Sequence, residues 1–180
     1  LLQWAHDRAA AAKTTDKVVA AIGDESENAA IKEYCKRSDI DYTVGPEDDL
    51  LARHLAIADR TDCDVLIRIT ADCPFVPSEE VDRVVEYHPS NDSRYSTNVT
   101  DRMPIGTAVD AIDPDLLREF RSLGETHPVK RARSEPEMWE TVWTDNPSWY
   151  EVSDAHIAVD TPKDYWSLVD AVDAVGTDPY

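Results

Sequence analysis

The 180 residues are 42% hydrophobic and carry 37 acidic against 18 basic residues, for a formal net charge of −19. That length supports one domain with a real core, and that charge opposes sequence-independent binding to nucleic acid or to an anionic membrane surface. Asp outnumbers Glu 24 to 13 and Arg outnumbers Lys 12 to 6, a pattern read here as salt adaptation, because salt screens the self-repulsion of an acidic surface.

No apolar run approaches the roughly 20 residues needed to span a membrane, and no basic-then-apolar export signal opens the sequence. Cys35, Cys63 and Cys73 are odd in number and form no C-x-x-C pair. That argues against a disulfide framework or a zinc site and for a reducing cytoplasm. Without an export signal, the glycosylation-like triplets beginning at Asn91 and Asn98 are read as chance.

In chain order, residues 1 to 13 space Leu1, Leu2, Trp4, Ala5 and Ala9 as a helix, and "DKVVAAIG" (16–23) follows as a buried strand. A Ser-capped helix over 26–37, a short strand over 41–45 and a helix over 46–60 with Pro and acids in its first turn come next. The strand 64–71 ends in "ADCP", and a helix over 78–88 is expected to be capped by Ser78. A strand at 94–98, another at 107–112 and a helix begun by Asp113-Pro114 and stopped by Gly124 continue the alternation. After a polar stretch (124–134), the pattern predicts a helix over 135–143, a strand over 156–160 and a closing helix over 162–174 opened by Pro162. Strands alternating with helices of this length imply an α/β fold with a largely parallel sheet covered on both faces.

The five glycines match neither G-x-G-x-x-G nor G-x-x-x-x-G-K, so neither the dinucleotide fingerprint nor the P-loop is present. No H-E-x-x-H or G-x-S-x-G supplies a zinc site or a hydrolytic elbow. What remains is a pair of carboxylates at strand ends: Asp72 in "RITADCPFV" and Asp160 in "HIAVDTPKDY". Two readings stay open for each. Asp beside Pro is a turn former or helix cap. Carboxylates at the carboxyl ends of neighbouring parallel strands could instead share a Mg²⁺ against a substrate phosphate.

The ordered set "EDDLLARH" (47–54), "VLIRITADCPFV" (65–76), "YSTN" (95–98), "PIGTAVDAI" (104–112), "NPSWYEV" (146–152) and "VDTPKDY" (159–165) resembles the cytidylyltransferase-like family. The nearest branch is that of the spore-coat polysaccharide biosynthesis proteins, similar to acylneuraminate and deoxy-octulosonate cytidylyltransferases. The resemblance implies one domain over 1–180. Its fold would be the three-layer Rossmann-like nucleotide-diphospho-sugar transferase fold with a mostly parallel sheet. It implies an activity that joins CMP from CTP to a small sugar with Mg²⁺ and releases pyrophosphate, for surface polysaccharide or glycan synthesis, with a homodimer among the compatible assemblies.

Residue by residue, it implies Asp72 and Asp160 as the catalytic, metal-holding carboxylates. Arg53 and Arg68 join Asp72 on the nucleotide side, and Gly106 and Asp110 fall in the segment facing the acceptor sugar. Gly106 is expected there for close backbone approach to a ligand. Family chains open with a strand and a loop of the form "AR-x-x-S-x-R-L-P-G-K" that holds the triphosphate. This sequence has no counterpart to it, so the amino-terminal strand is expected to be missing and catalysis to depend on whether the native protein has that loop. The family's R-E-H cluster is likewise not recognisable in "HPVKRARSEPEMW" (127–139). Two competing functions are a noncatalytic relative that binds nucleotide or a partner, and a glycosyltransferase that uses a nucleotide-sugar.

Overall fold

A computed structural model describes residues 1–88, 93–101, 103–145, 147–151 and 155–175. Asn91, Asn146 and Val152, which belong to segments singled out above, lie outside them. The elements run α1 (Leu2–Ala11), β1 (Ala20–Gly23), α2 (Ala29–Arg37), β2 (Tyr42–Gly45), α3 (Leu50–Thr61), β3 (Leu66–Arg68) and α4 (Ser78–Tyr87). They continue β4 (Tyr95–Thr97), β5 (Asp110–Ile112), α5 (Pro114–Ser122), α6 (Lys130–Ser134), β6 (Thr141–Trp143) and α7 (Pro162–Val175). Strands β1 and β2 pair in parallel, and the other four pair in the order β3-β5-β4-β6. Strand β6 is parallel to β4, whereas β5 runs antiparallel to both β3 and β4.

Helices cover both faces because alternate residues of the strands point opposite ways. On β5, Ile112 joins Leu51, Leu66, Tyr95, Leu116, Leu117, Phe120 and Trp139 on the side of α3 and α5. Its neighbour Ala111 joins Val76, Val81, Val84 and Val109 on the side of α4. A third cluster, Ile22, Cys35 and Ile40, packs α2 beside β1 and β2. Helix α5 shows the local logic: Asp113 precedes Pro114 at the first helical position, and Leu116, Leu117 and Phe120 form one fully buried stripe. Gly124 then takes φ of 82°, a left-handed stop that suits glycine. Each of those buried side chains contributes about 1.5–3 kcal/mol, and Phe120 meets Trp139 edge to face at 4.9 Å.

Several expectations need correction. Ser78 is the first residue of α4 and makes no cap bond, its hydroxyl donating instead to the adjacent Glu79 carboxylate at 3.3 Å. Ser26 likewise caps nothing and opens a short 3₁₀ turn ahead of α2. Asp49, rather than Pro46, starts α3, accepting from the Ala52 N–H at 2.8 Å. The helix expected over 135–143 is absent: a short helix precedes it at Lys130–Ser134, and Thr141–Trp143 is the edge strand β6. Pro136 lacks a donor, Glu140 sits at φ of 51°, and the residues after it are β-branched and aromatic, so the chain turns and extends. The segment around 156–160 is one bridge, Ile105 to His156, rather than a full strand. None of the described helices is long and apolar enough to cross a membrane.

Candidate functional site

Arg68 ends β3, Thr97 ends β4 and Asp110 begins β5, and the register sets both Arg68 and Thr97 opposite Asp110. One row of side chains therefore closes the carboxyl edge of β3 and β4, where open α/β sheets place ligands. Asp110 is fully buried. Its carboxylate accepts from Arg68 Nη1 at 3.0 Å, Thr97 Oγ1 at 3.0 Å, the Tyr95 hydroxyl at 2.7 Å and the Arg133 guanidinium. Arg133 also donates to the Tyr95 hydroxyl at 2.8 Å. Burial opposes the charge on Asp110, but Arg133 and Arg68 outweigh it and hold the carboxyl below its ordinary range. Two guanidiniums on one carboxylate leave a local positive excess inside a strongly acidic chain.

His54 of α3 feels the charge of this cluster. Its Nδ1 donates to the Leu50 carbonyl at 2.7 Å, and burial, reinforced by Arg68 and Arg53, pushes the imidazole down to about 4. It is neutral at physiological pH. Burial, then Arg68 and Arg133, also lowers His127. Arg53 donates to the carbonyls of Ala21 at 3.4 Å and Glu47 at 3.2 Å, tying α3 to β1 and to the loop before α3.

Beyond β3 the chain turns at Thr70–Cys73, with the Cys73 N–H donating to the Thr70 carbonyl at 3.0 Å, and Asp72 is exposed at the tip. The Asp72 carbonyl accepts from the Val159 N–H at 2.8 Å, so the segment that delivers Asp160 lies against the turn that carries Asp72. Burial, with small contributions from Asp72 and Asp160, pushes the intervening Cys73 thiol up to about 11 and leaves it unreactive.

Asp160 itself meets His156 Nε2 at 3.2 Å. His156, Asp160 and Asp164 each offer one ligand atom within 4.8 Å of the others. Asp164 is fixed from behind by the N–H and hydroxyl of Thr161, each at 2.8 Å, which hold its carboxyl below the ordinary range. Asp160 and Asp164 offer the carboxylate oxygens that a hard cation such as Mg²⁺ takes, so this group fits one, while Asp72 stands outside it on the adjoining turn.

Gly106 makes a close backbone approach within the fold itself. It adopts φ of 105°, and a Cβ there would stand 2.6 Å from the Ala158 nitrogen and 2.7 Å from the Ile157 carbonyl carbon. Its close approach is to the chain segment leading into Asp160. Beyond the expected residues, the structure gathers Arg133, His54, His156 and Asp164 here. Of these, only Asp164 carried a local signal, the T-x-x-D spacing of a capping box in "TPKD".

A family model described as cytidylyltransferase matches residues 1–156. Among curated proteins, the spore coat polysaccharide biosynthesis protein SpsF of Bacillus subtilis is 22% identical over 162 residues, covering 87% of this chain and 67% of that protein. A cytidylyltransferase from Leptospira borgpetersenii superposes with a TM-score of 0.87 at 22% identity, over 96% of this chain and 75% of the other. A CMP:2-keto-3-deoxy-manno-octonic acid synthetase solved with CTP superposes at 0.65 with 14% identity, over 98% and 88%. At these identities the likeness of the solved structures is one of fold.

Proposed function

Because the chain belongs to the cytidylyltransferase family, we propose that it takes CTP and a small sugar, makes a CMP-sugar for surface polysaccharide or glycan synthesis, and uses Mg²⁺. The observation that carries this reading is the Val159–Asp72 backbone bond, which joins the two aspartate-bearing segments at the carboxyl edge of the sheet. Asp72 and Asp160 would hold the cation, which supplies charge neutralisation on the triphosphate.

In the reaction a sugar hydroxyl oxygen bonds to the α-phosphorus of CTP, the bond from that phosphorus to the bridging oxygen breaks, and pyrophosphate leaves as the hydroxyl proton is lost. Arg68 faces the nucleotide side with its guanidinium fixed by Asp110, and Arg53 borders the same side. Asp110 acts on the acceptor side by holding Arg133 and the segment that follows Gly106. Pre-fixed cations of this kind suit phosphoryl transfer, in which positioning and charge do most of the work.

The test is release of pyrophosphate from CTP with Mg²⁺ and a panel of sugars that includes an acylneuraminate and a deoxy-octulosonate. In a chain that carries the family's amino-terminal loop, Asp72→Asn and Asp160→Asn are each expected to lower turnover by 10²-fold or more, about 2.7 kcal/mol of barrier, and the double variant to fall little further. Isothermal titration should find CTP bound more tightly than ATP. Release of a nucleoside diphosphate would mark a glycosyltransferase, and binding without turnover a noncatalytic relative.

A further inference from the structure

Away from the carboxylates, the fully buried Asn98 follows the last residue of β4 and sits among Glu80, Tyr150 and the strand β5 approach. Its Oδ1 accepts from the Val109 N–H at 2.8 Å, and its Nδ2 donates toward the Thr107 carbonyl at 2.9 Å, the Tyr150 hydroxyl at 2.8 Å and Glu80 Oε2 at 3.2 Å. The amide orientation is fixed by this set, since one end meets a donor and the other only acceptors. The Tyr150 hydroxyl also donates to Glu80, and Arg83 Nη2 pairs with the same carboxylate at 2.6 Å. Burial opposes the Glu80 charge, but bonds from Arg83, Tyr150 and Asn98 outweigh it.

A buried carboxylate and amide are costly to desolvate, and an apolar cluster of the same volume would often be as stable. What the polar cluster adds is a single geometry. Asn98 grips Thr107 and Val109, on either side of Ala108, and so sets the loop that runs back to Ile105. The Ile105 N–H donates to the Ala155 carbonyl at 2.9 Å, and its carbonyl accepts from the Ile157 N–H at 2.8 Å. Gly106 seats against Ile157 and Ala158 with no room for a side chain. Two residues beyond Ala158 stands Asp160, and between them Val159 bonds to Asp72. The segment carrying Asp160 is thus held from two sides, by the Asp72 turn and by the loop that Asn98 fixes.

We infer that Asn98, backed by Glu80 and Tyr150, is a positioning residue that sets the segment carrying Asp160 against the Asp72 turn through the 105–107 loop. The inference rests on the reading of Asp72 and Asp160 as cation ligands. It differs from a purely structural role for Asn98 in one respect: it couples a buried amide to divalent-cation affinity.

The experiment titrates Mn²⁺ into the full chain and follows water-proton relaxation, with thermal melting measured in parallel. Asn98→Ala and Tyr150→Phe are compared with Ser96→Ala, a buried substitution in the separate His88 and Ser93 cluster. Groups bonded directly to metal ligands tune affinity by about 10–100-fold; Asn98 acts one loop further out, so Asn98→Ala is expected to weaken Mn²⁺ binding by about three-fold or more and Tyr150→Phe less, in the same direction. Ser96→Ala should lower the melting temperature without changing Mn²⁺ affinity. Unchanged affinity in a folded Asn98→Ala overturns the inference. Should Asn98→Ala not fold, Tyr150→Phe decides, and unchanged affinity there overturns it equally. Asp72→Asn and Asp160→Asn are measured alongside. If those two weaken Mn²⁺ and the Asn98 cluster does not, only the positioning role falls. If neither aspartate variant weakens it, the cation reading itself falls and takes the inference with it.

Discussion

Asp110 and Asp160 are the same residue type at the same edge of one sheet, yet Asp110 is fully buried among two guanidiniums and two hydroxyls while the Asp160 side chain is 56% exposed beside a histidine. The difference is one of solvation. An interior carboxylate is tolerated only when its charge is met within the fold, whereas an exposed one keeps its water and can exchange it for a ligand. Asp110 therefore commits its charge to holding the fold and the two arginines. Asp160 keeps its charge available.

The largest expected effect breaks the interior side. Asp110→Asn keeps shape but leaves Arg68 and Arg133 with no counter-charge, and urea denaturation should show a loss of about 3–5 kcal/mol. A substitution there that costs less than about 1 kcal/mol would mean that solvent already screens the two guanidiniums.

His54 sharpens the same side through pH. Its ordinary value of 6.5 falls to about 4 on folding, so the unfolded chain takes up the proton first as the solution is acidified. Stability is full above 6.5 and declines as the pH falls toward 4, by on the order of 3 kcal/mol. Urea midpoints at about pH 7 and about pH 4.5 should separate widely for the native chain and much less for His54→Gln. Glu80 and Asp110, both lowered on folding from ordinary values of 4.5 and 3.8, add a further loss as the pH falls through those values.

Gly106→Ala probes the joint between the two regions. With φ of 105° and the added methyl only 2.6 Å from the Ala158 nitrogen, the strain should amount to about 1–3 kcal/mol by thermal or urea unfolding. Asp160→Asn marks the exposed extreme: its stability should change by less than about 0.5 kcal/mol, although it is expected to lower pyrophosphate release about 10²-fold or more. A large stability loss there would make Asp160 a structural cap and erase the contrast with Asp110.

Much of this was legible in the chain itself. The apolar stripe of α5, its Asp-Pro start and its glycine stop are local signals, and they placed that helix within a residue or two of its observed ends. Asp72 and Asp160 stood out because a carboxylate ending an apolar run is conspicuous in one dimension. The stretch over 135–143, read as a helix, misled because two facts outweigh its helix formers, the proline at 136 and the pairing of Thr141–Trp143 with β4. No periodicity announces an edge strand that exists only because a neighbour offers hydrogen-bond partners.

By itself, then, the sequence determined most of the alternation of helices and strands and the apolar faces, because each depends on residues close together along the chain. The tertiary structure alone decided that β5 runs antiparallel, that Arg133 reaches Asp110 from 23 residues away, that Gly106 is small for the sake of Ala158, and that Asn98 meets Glu80 and Tyr150. Those contacts join segments far apart in sequence, and their energies come from burial and desolvation, which exist only once the chain has closed around them.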